Sequence, residues 1–264
     1  MRVLVTNDDG VYAPGLSALV VALLEVGHEV IVVAPLGEAS GAGAGVGPVH
    51  DMGNGIAFEP ATIKAAPSVP AYGVDALPAL AVLTTCLGGF GPRPDAVVSG
   101  INRGLNTGRS VMHSGTVGAA LTAQHFKIPA LAVSCEWSLD PTWEASAILG
   151  AQLIGLMESL PLGTVLNLNV PSRKLADVLG VRIGSLGSTG LIRTATAEHE
   201  LRTLSLDVTS EQPPPGLKTD VGLVESGYAS VTAIVGVRQD ENPDLQAGLM
   251  PVLQEAWLKS KLRV

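Results

Sequence analysis

Cysteine is almost missing from this chain of 264 residues: only Cys86 and Cys135 occur, far apart and each in an apolar context. That excludes a disulfide framework and a cysteine-based zinc site, and it predicts two buried thiols. Basic residues are also scarce, 16 Lys and Arg against 24 Asp and Glu, and a net charge of −8 leaves no basic footprint for a nucleic-acid polymer. Aromatic residues make up 3% of the chain, so its core must be aliphatic and alanine-rich. Long apolar runs are lacking too. Although 47% of residues are hydrophobic and mean hydropathy is +0.38, Gly, Pro or charge interrupts each run well short of the roughly 20 residues a membrane span requires. With Met1-Arg2 running directly into an apolar strand, no targeting segment is expected, and the reading is a cytoplasmic protein.

What is present is the alternation of short apolar runs and helical periodicities that builds a parallel sheet with crossover helices. Arg2–Thr6 reads as a strand, Pro14–Val26 as a helix with Pro near its start and Gly27 past its end, and Glu29–Val33 as a second strand, together one right-handed βαβ unit. Residues 37–55 are rich in Gly and Ala and read as an extended loop able to approach a ligand closely, with a simple connector as the alternative. A strand near Ala71–Val74, a helix from Pro78 to Leu87 and a central strand at Ala96–Ser99 follow. The polar loop Gly100–Gly108 then leads through Ser114-Gly115-Thr116 into an Ala-rich helix over Val117–Phe126. Strands at Ala130–Ser134 and Thr164–Val170 flank a helix at Trp143–Ser159. Residues 181–219 read as hairpin or arm material, Tyr228–Val235 as a last strand and Leu249–Leu262 as a terminal helix. The expected organisation is a single domain over 1–264, with a core to about residue 181 and, over 182–264, an arm, a last strand and a C-terminal helix.

Four polar clusters fall at the expected strand ends: Asp8 and Asp9, Ser40, Asn102 with Asn106, and Ser114-Gly115-Thr116. Ligands of open α/β sheets bind beyond the carboxyl ends of the strands, and hard cations take oxygen ligands with water completing the shell. Asp8 and Asp9 would supply charge, and Ser40 Oγ and Asn102 Oδ1 neutral oxygens. Each alone is also an ordinary turn or cap residue. Ser114-Gly115-Thr116 opens a helix, where free N–H groups and the positive dipole end favour an anion, or where Ser is simply a cap. A phosphate there, beside a metal at the neighbouring strand ends, is the arrangement of phosphoryl-group hydrolysis. Backbone N–H groups near Gly41 and Gly115, with the hydroxyls of Ser114 and Thr116, are expected to hold phosphoryl oxygens. The expected nucleophile is a water acidified by the ion, with direct attack by Asp8 or Asp9 as the alternative. His113 is a candidate proton donor, and Arg103 and Arg109 are candidate phosphate contacts.

The strings VTNDDGVYAPG (Val5–Gly15), VVAP and SGA (Val32–Ala42), PDAVVSGINRGLNTG (Pro94–Gly108), HSGTVGAA (His113–Ala120), IPALAVS (Ile128–Ser134), LNLNVP (Leu166–Pro171) and TDVGLVESGYASVTAI (Thr219–Ile234) resemble the survival-protein E (SurE) family of metal-dependent nucleotidases. The resemblance implies an α/β, Rossmann-like three-layer core with a mostly parallel sheet, and a C-terminal β-hairpin or arm used in oligomerisation to a homodimer or homotetramer. It implies hydrolysis of nucleoside 5′- or 3′-monophosphates with one Mg²⁺ or Mn²⁺ per subunit, Ca²⁺ being a further candidate. It implies Asp8, Asp9, Ser40 and Asn102 as metal ligands; the candidate catalytic residues are Asp8, Asp9, Asn102, Ser114 and Thr116, and the candidate phosphate contacts Gly41, Asn106, Ser114, Gly115 and Thr116. The chain departs from the family at Gly37-Glu38-Ala39, where a basic and polar lead is usual, at the Gly/Ala continuation of that loop, and at Ala76–Ala81. These departures keep a sugar phosphate or polyphosphate as an alternative substrate. The segment Gly27–Pro35 also looks like the opening of two-domain glycosyltransferases, and a silent metal-binding scaffold is the non-enzymatic alternative.

Overall fold

The computed structural model describes residues 1–47, 49, 53, 55–188, 194–198, 203–207, 218–238, 243 and 251–254. The chain divides into two compact units, Met1–Ile234 and Val235–Val264. The expected helix at Leu249–Leu262 lies, apart from residues 251–254, outside the described residues.

The first unit opens as the sequence predicts, with β1 (Arg2–Thr6), α1 (Pro14–Glu25) and β2 (Glu29–Pro35). Pro14 stands at the start of α1, where its missing N–H has no partner to lose. Then come β3 (Phe58–Ala61), β4 (Ala71–Val74), α2 (Pro78–Cys86), β5 (Ala96–Arg103), α3 (Gly115–His125), β6 (Ala130–Cys135), α4 (Glu144–Leu156) and β7 (Val165–Val170). β8 (Val181–Ile183), β9 (Thr194–Glu198), β10 (Thr203–Asp207), α5 (Asp220–Glu225) and β11 (Ala229–Ile234) complete it. Among the described residues nine strands form one sheet in the order β3-β4-β2-β1-β5-β6-β7-β11-β8, and β9 pairs only with β10. The six strands from β4 to β7 run parallel, while β3 on β4 and β11 on β7 are antiparallel. β3 was not foreseen as a strand, and β8 straddles the expected boundary near Arg182 and pairs parallel with β11.

Alternation along the strands sorts side chains between two apolar layers. Val3, Val5, Val30, Val32, Val98, Leu131 and Leu168 face the side covered by α1 and α4. Leu4, Ile31, Val33, Val97, Ala130 and Ala132 face α2 and α3. The three-layer α/β architecture is therefore the one expected. Both cysteines are buried thiols.

The strand order places the site. From β1 the chain winds outward through β2 to β4, then returns across α2 to insert β5 on the other flank of β1. Connections therefore leave β1 and β5 in opposite directions, and this switch point opens a crevice at their carboxyl ends. The loop after β1 and the end of β5 carry Asp8, Asp9 and Asn102 there.

Candidate active site

Asn7 shapes the first loop. Its side-chain amide donates to the carbonyl of Gly10 and its Oδ1 accepts the Gly10 N–H, at 3.0 and 3.1 Å, closing a tight turn in which Gly10 has φ +97°. That turn directs Asp8 inward, to 3% exposure, and leaves Asp9 half-buried.

Thr116 Oγ1, in the first turn of α3, donates to Asp8 Oδ1 at 2.5 Å. A Cβ on Gly115 would lie 2.8 Å from Asp8 Oδ2, so only glycine lets the start of this helix approach the carboxylate so closely. The Gly-rich loop closes from another side: Ala39 N–H donates to the Asp8 carbonyl at 2.7 Å. Its neighbour Ser40 is exposed, and Ser40 Oγ donates to Glu38 Oε1. From β5, the Arg103 backbone N–H reaches the Asp9 carboxylate. Asn102 Nδ2 donates to the Gly104 carbonyl at 2.7 Å, which fixes the amide's orientation. Asp8, Asp9, the Ser40 loop, the end of β5 and the start of α3 thus come together.

The other residues singled out by sequence sit as follows. Ser114 caps α3, its Oγ accepting the Val117 N–H at 3.1 Å, and it is buried. His113 and Arg109 are exposed. Asn106 is held in a buried amide network: its Nδ2 donates to Ser134 Oγ, its N–H to Asn169 Oδ1, and its carbonyl accepts from Asn167 and Asn169. Arg103 turns its guanidinium to the carbonyls of Ser138 and Leu139.

Sequence reading missed three contributors. Asn167 and Asn169 alternate on one face of β7 and pin the Asn106 loop, a pattern visible as Leu-Asn-Leu-Asn at a strand's period of two. Asp220, fully buried, accepts the N–H groups of Gly108, Gly187 and Val221 and ties that loop to α5. Nothing in the sequence flagged Asp220, whose partners Gly108 and Gly187 lie 112 and 33 positions away.

The two carboxylates share a problem. Burial pushes the Asp8 carboxyl above the ordinary aspartate range, with the Thr116 hydrogen bond opposing. Burial, followed by the charges of Asp8 and Glu38, raises Asp9 to about 6. Two adjacent acids in a desolvated crevice call for a cation. Among the described residues no three His, Cys, Asp or Glu side chains converge. A cation here would therefore rest on two carboxylates and neutral oxygens, donor chemistry that fits a hard, water-retaining ion. Two surface clefts, of about 490 and 470 Å³, lie elsewhere, the larger at the opposite edge of the sheet beside Met1, Asp95 and Pro129.

The profile of the family described as "Survival protein SurE" matches residues 3–192. The chain belongs to the SurE family. Among its relatives, the 5′/3′-nucleotidase SurE of Erwinia tasmaniensis is 36% identical over 98% of this chain and 97% of its own length. The 5′-nucleotidase SurE of Legionella pneumophila strain Paris is 33% identical over 89% of this chain and 90% of its own. The crystal structure of the SurE protein from Aquifex aeolicus superimposes with a TM-score of 0.75 at 24% identity, covering 97% of this chain and 99% of that one, and shows the same fold. The SurE profile spans Asp8, Asp9, Ser40, Asn102 and Ser114–Thr116, the residues at the switch point. No helix among the described residues is long and apolar enough to cross a membrane.

Proposed function

We propose that this chain is a divalent-metal-dependent phosphomonoesterase that hydrolyses nucleoside 5′- or 3′-monophosphates to nucleoside and phosphate. The observation that carries the proposal is the buried Asp8, hydrogen-bonded to Thr116 and adjacent to Asp9, at the switch point of a SurE-family sheet. Relatives named as SurE nucleotidases along nearly the whole chain support the substrate class.

In this reading Asp8, Asp9, Ser40 and Asn102 hold one Mg²⁺ or Mn²⁺. Such an ion supplies Lewis-acid withdrawal of charge from the phosphoryl group. The chain's own residues do the positioning. The Thr116 hydroxyl fixes one oxygen of Asp8. The cap formed by Ser114 orders the first turn of α3, whose N–H at Gly115 receives a phosphoryl oxygen, while the Thr116 N–H, like its hydroxyl, is turned to the Asp8 carboxylate. Gly41, with φ +79° and nothing within 4 Å of a notional Cβ, leaves room for backbone contact with the ester. Asn106, clamped by Asn167 and Asn169, keeps the loop after β5 in place. We extend the proposal to a cytoplasmic homodimer or homotetramer joined through the segment after residue 182.

The test is phosphate release from a panel of nucleoside monophosphates, sugar phosphates and polyphosphate, with Mg²⁺ or Mn²⁺ and with EDTA. The expected result is turnover of nucleoside monophosphates, abolished by EDTA, restored by metal and absent in Asp8→Asn. Metal-restored turnover of another ester alone would move the substrate class. No metal-restored turnover of any ester would leave a scaffold.

A further inference from the structure

Trp137 is 62% exposed and belongs to neither apolar cluster of the core. A large indole left open to water is unusual in a chain so poor in aromatics, and its place makes it informative. β5 and β6 run side by side with Arg103 opposite Cys135, so Trp137 lies two residues past β6 on the sheet edge that carries Asn102. The link to the carboxylates is short. The Arg103 backbone N–H contacts Asp9, while its Nε and Nη2 donate to the Ser138 carbonyl at 3.1 and 2.7 Å and Nη2 also to that of Leu139 at 2.8 Å. These bonds fasten the loop after β6 to the loop that carries Asn102. They also hold the Arg103 Cζ 5.9 Å from the centre of the Trp137 ring. One residue therefore spans from the Asp9 carboxylate to a flat, exposed aromatic surface.

Resting on the function proposed above, we infer that Trp137, steadied by Arg103, is the stacking platform for the nucleobase of the substrate and thus a specificity-determining residue. A nucleoside monophosphate presents a charged group at one end and a π-face at the other, and this edge offers partners for both in that order. Stacking tolerates any base, because every base has a π-face. A guanidinium already bonded to two carbonyls does not have to be ordered when the base arrives.

The test compares adenosine 5′-monophosphate with ribose 5-phosphate, which lacks the base, on full-length wild type, Trp137→Ala and Trp137→Phe with Mg²⁺. Trp137→Ala is expected to raise KM for the nucleotide by about 5- to 100-fold, the usual range for loss of one base–aromatic stack. Its kcat should change little and its KM for ribose 5-phosphate should stay put, while Trp137→Phe retains most of the wild-type behaviour. Equal effects on the two esters, or none, overturn the inference. So does a change in sedimentation mass without a differential KM, which would assign Trp137 to contact between copies. Should wild type hydrolyse neither ester, the function proposal is what fails. Base binding is then read from quenching of indole emission by adenosine 5′-monophosphate: quenching lost in Trp137→Phe sustains the platform, and quenching unchanged in that variant overturns it.

Discussion

Asp8 owes its position to two neighbours that contribute almost nothing in volume: a threonine hydroxyl and a glycine hydrogen. Hydrogen bonds to charged groups contribute about 1.5–3 kcal/mol, so Thr116→Val should weaken Mg²⁺ binding and lower kcat/KM by about 10- to 100-fold, while Thr116→Ser keeps most of both. Calorimetric titration with Mg²⁺, with circular dichroism to verify folding, checks this. Gly115→Ala should act through geometry, since the new Cβ would lie 2.8 Å from the Asp8 carboxylate. It should depress turnover more than stability. The acidity of Asp9 gives a third prediction. With its carboxyl raised from 3.8 to about 6 in the fold, the native state holds the proton more tightly than the unfolded chain does. The ion-free protein therefore loses stability as pH rises from about 4 to about 6, and levels off above. In EDTA, the stability of wild type relative to Asp9→Asn should fall across that window. Mg²⁺ affinity should rise across it, because the ion and the proton compete for the same oxygens. At this scale the sequence was legible in where the polar turn formers fall: Asp8 and Asp9 follow β1 and Asn102 ends β5, as the strand pattern predicts. It was opaque where a partner arrives from a distant strand. Nothing near Asn106 announces that Asn167 and Asn169 take its carbonyl, and nothing near Arg103 announces that its guanidinium anchors another loop.

At the scale of elements, α3 decides how near the Gly-rich loop comes. Its buried residues are small apart from Val117: Gly115, Thr116, Gly118, Ala119, Ala120 and Ala123, and at Gly118 the helix and loop backbones meet almost directly. The Gly43 N–H donates to the His113 carbonyl, and a Cβ on Gly118 would collide with the Gly43 carbonyl. Gly118→Ala should therefore push the loop outward, cost about 1–3 kcal/mol of stability as overpacking does, and weaken metal binding by displacing Ser40. Thermal melting and Mg²⁺ titration of the same variant measure the two effects, and a change in melting alone would separate Ser40 from the ion. The helix was readable from its small residues, and its start at Gly115, two residues before the expected Val117, follows from the Ser114 cap. β3 was not readable. Phe-Glu-Pro-Ala is short, its Pro suits only an edge strand, and what secures it is the cluster of Phe58 with Tyr72 and Phe90, a tertiary contact. β8 went unrecognised as part of the main sheet for the same kind of reason: three exposed residues carry no periodicity.

At the scale of the whole molecule, the strand pair β9 and β10 stands apart from the large sheet. Its register runs from Thr203 opposite Glu198 to Asp207 opposite Thr194, and among the described residues neither strand pairs with any other. A two-stranded ribbon is marginal in water by itself and needs a third strand or a packing surface. A second copy of the chain can provide either, as the oligomer proposed above through the segment after residue 182 would do. The expected outcome in sedimentation velocity is a species whose mass is an integer multiple, two or four, of 27.0 kDa. Deleting residues 189–217 should shift that species to the mass of one shortened chain. Because Asp8, Asp9, Asn102 and α3 belong to the sheet's switch point and not to the ribbon, the shortened chain should still bind Mg²⁺. Retention of the full oligomeric mass after deletion would mean that copies meet through another face, and the ribbon would then need a different explanation for its stability.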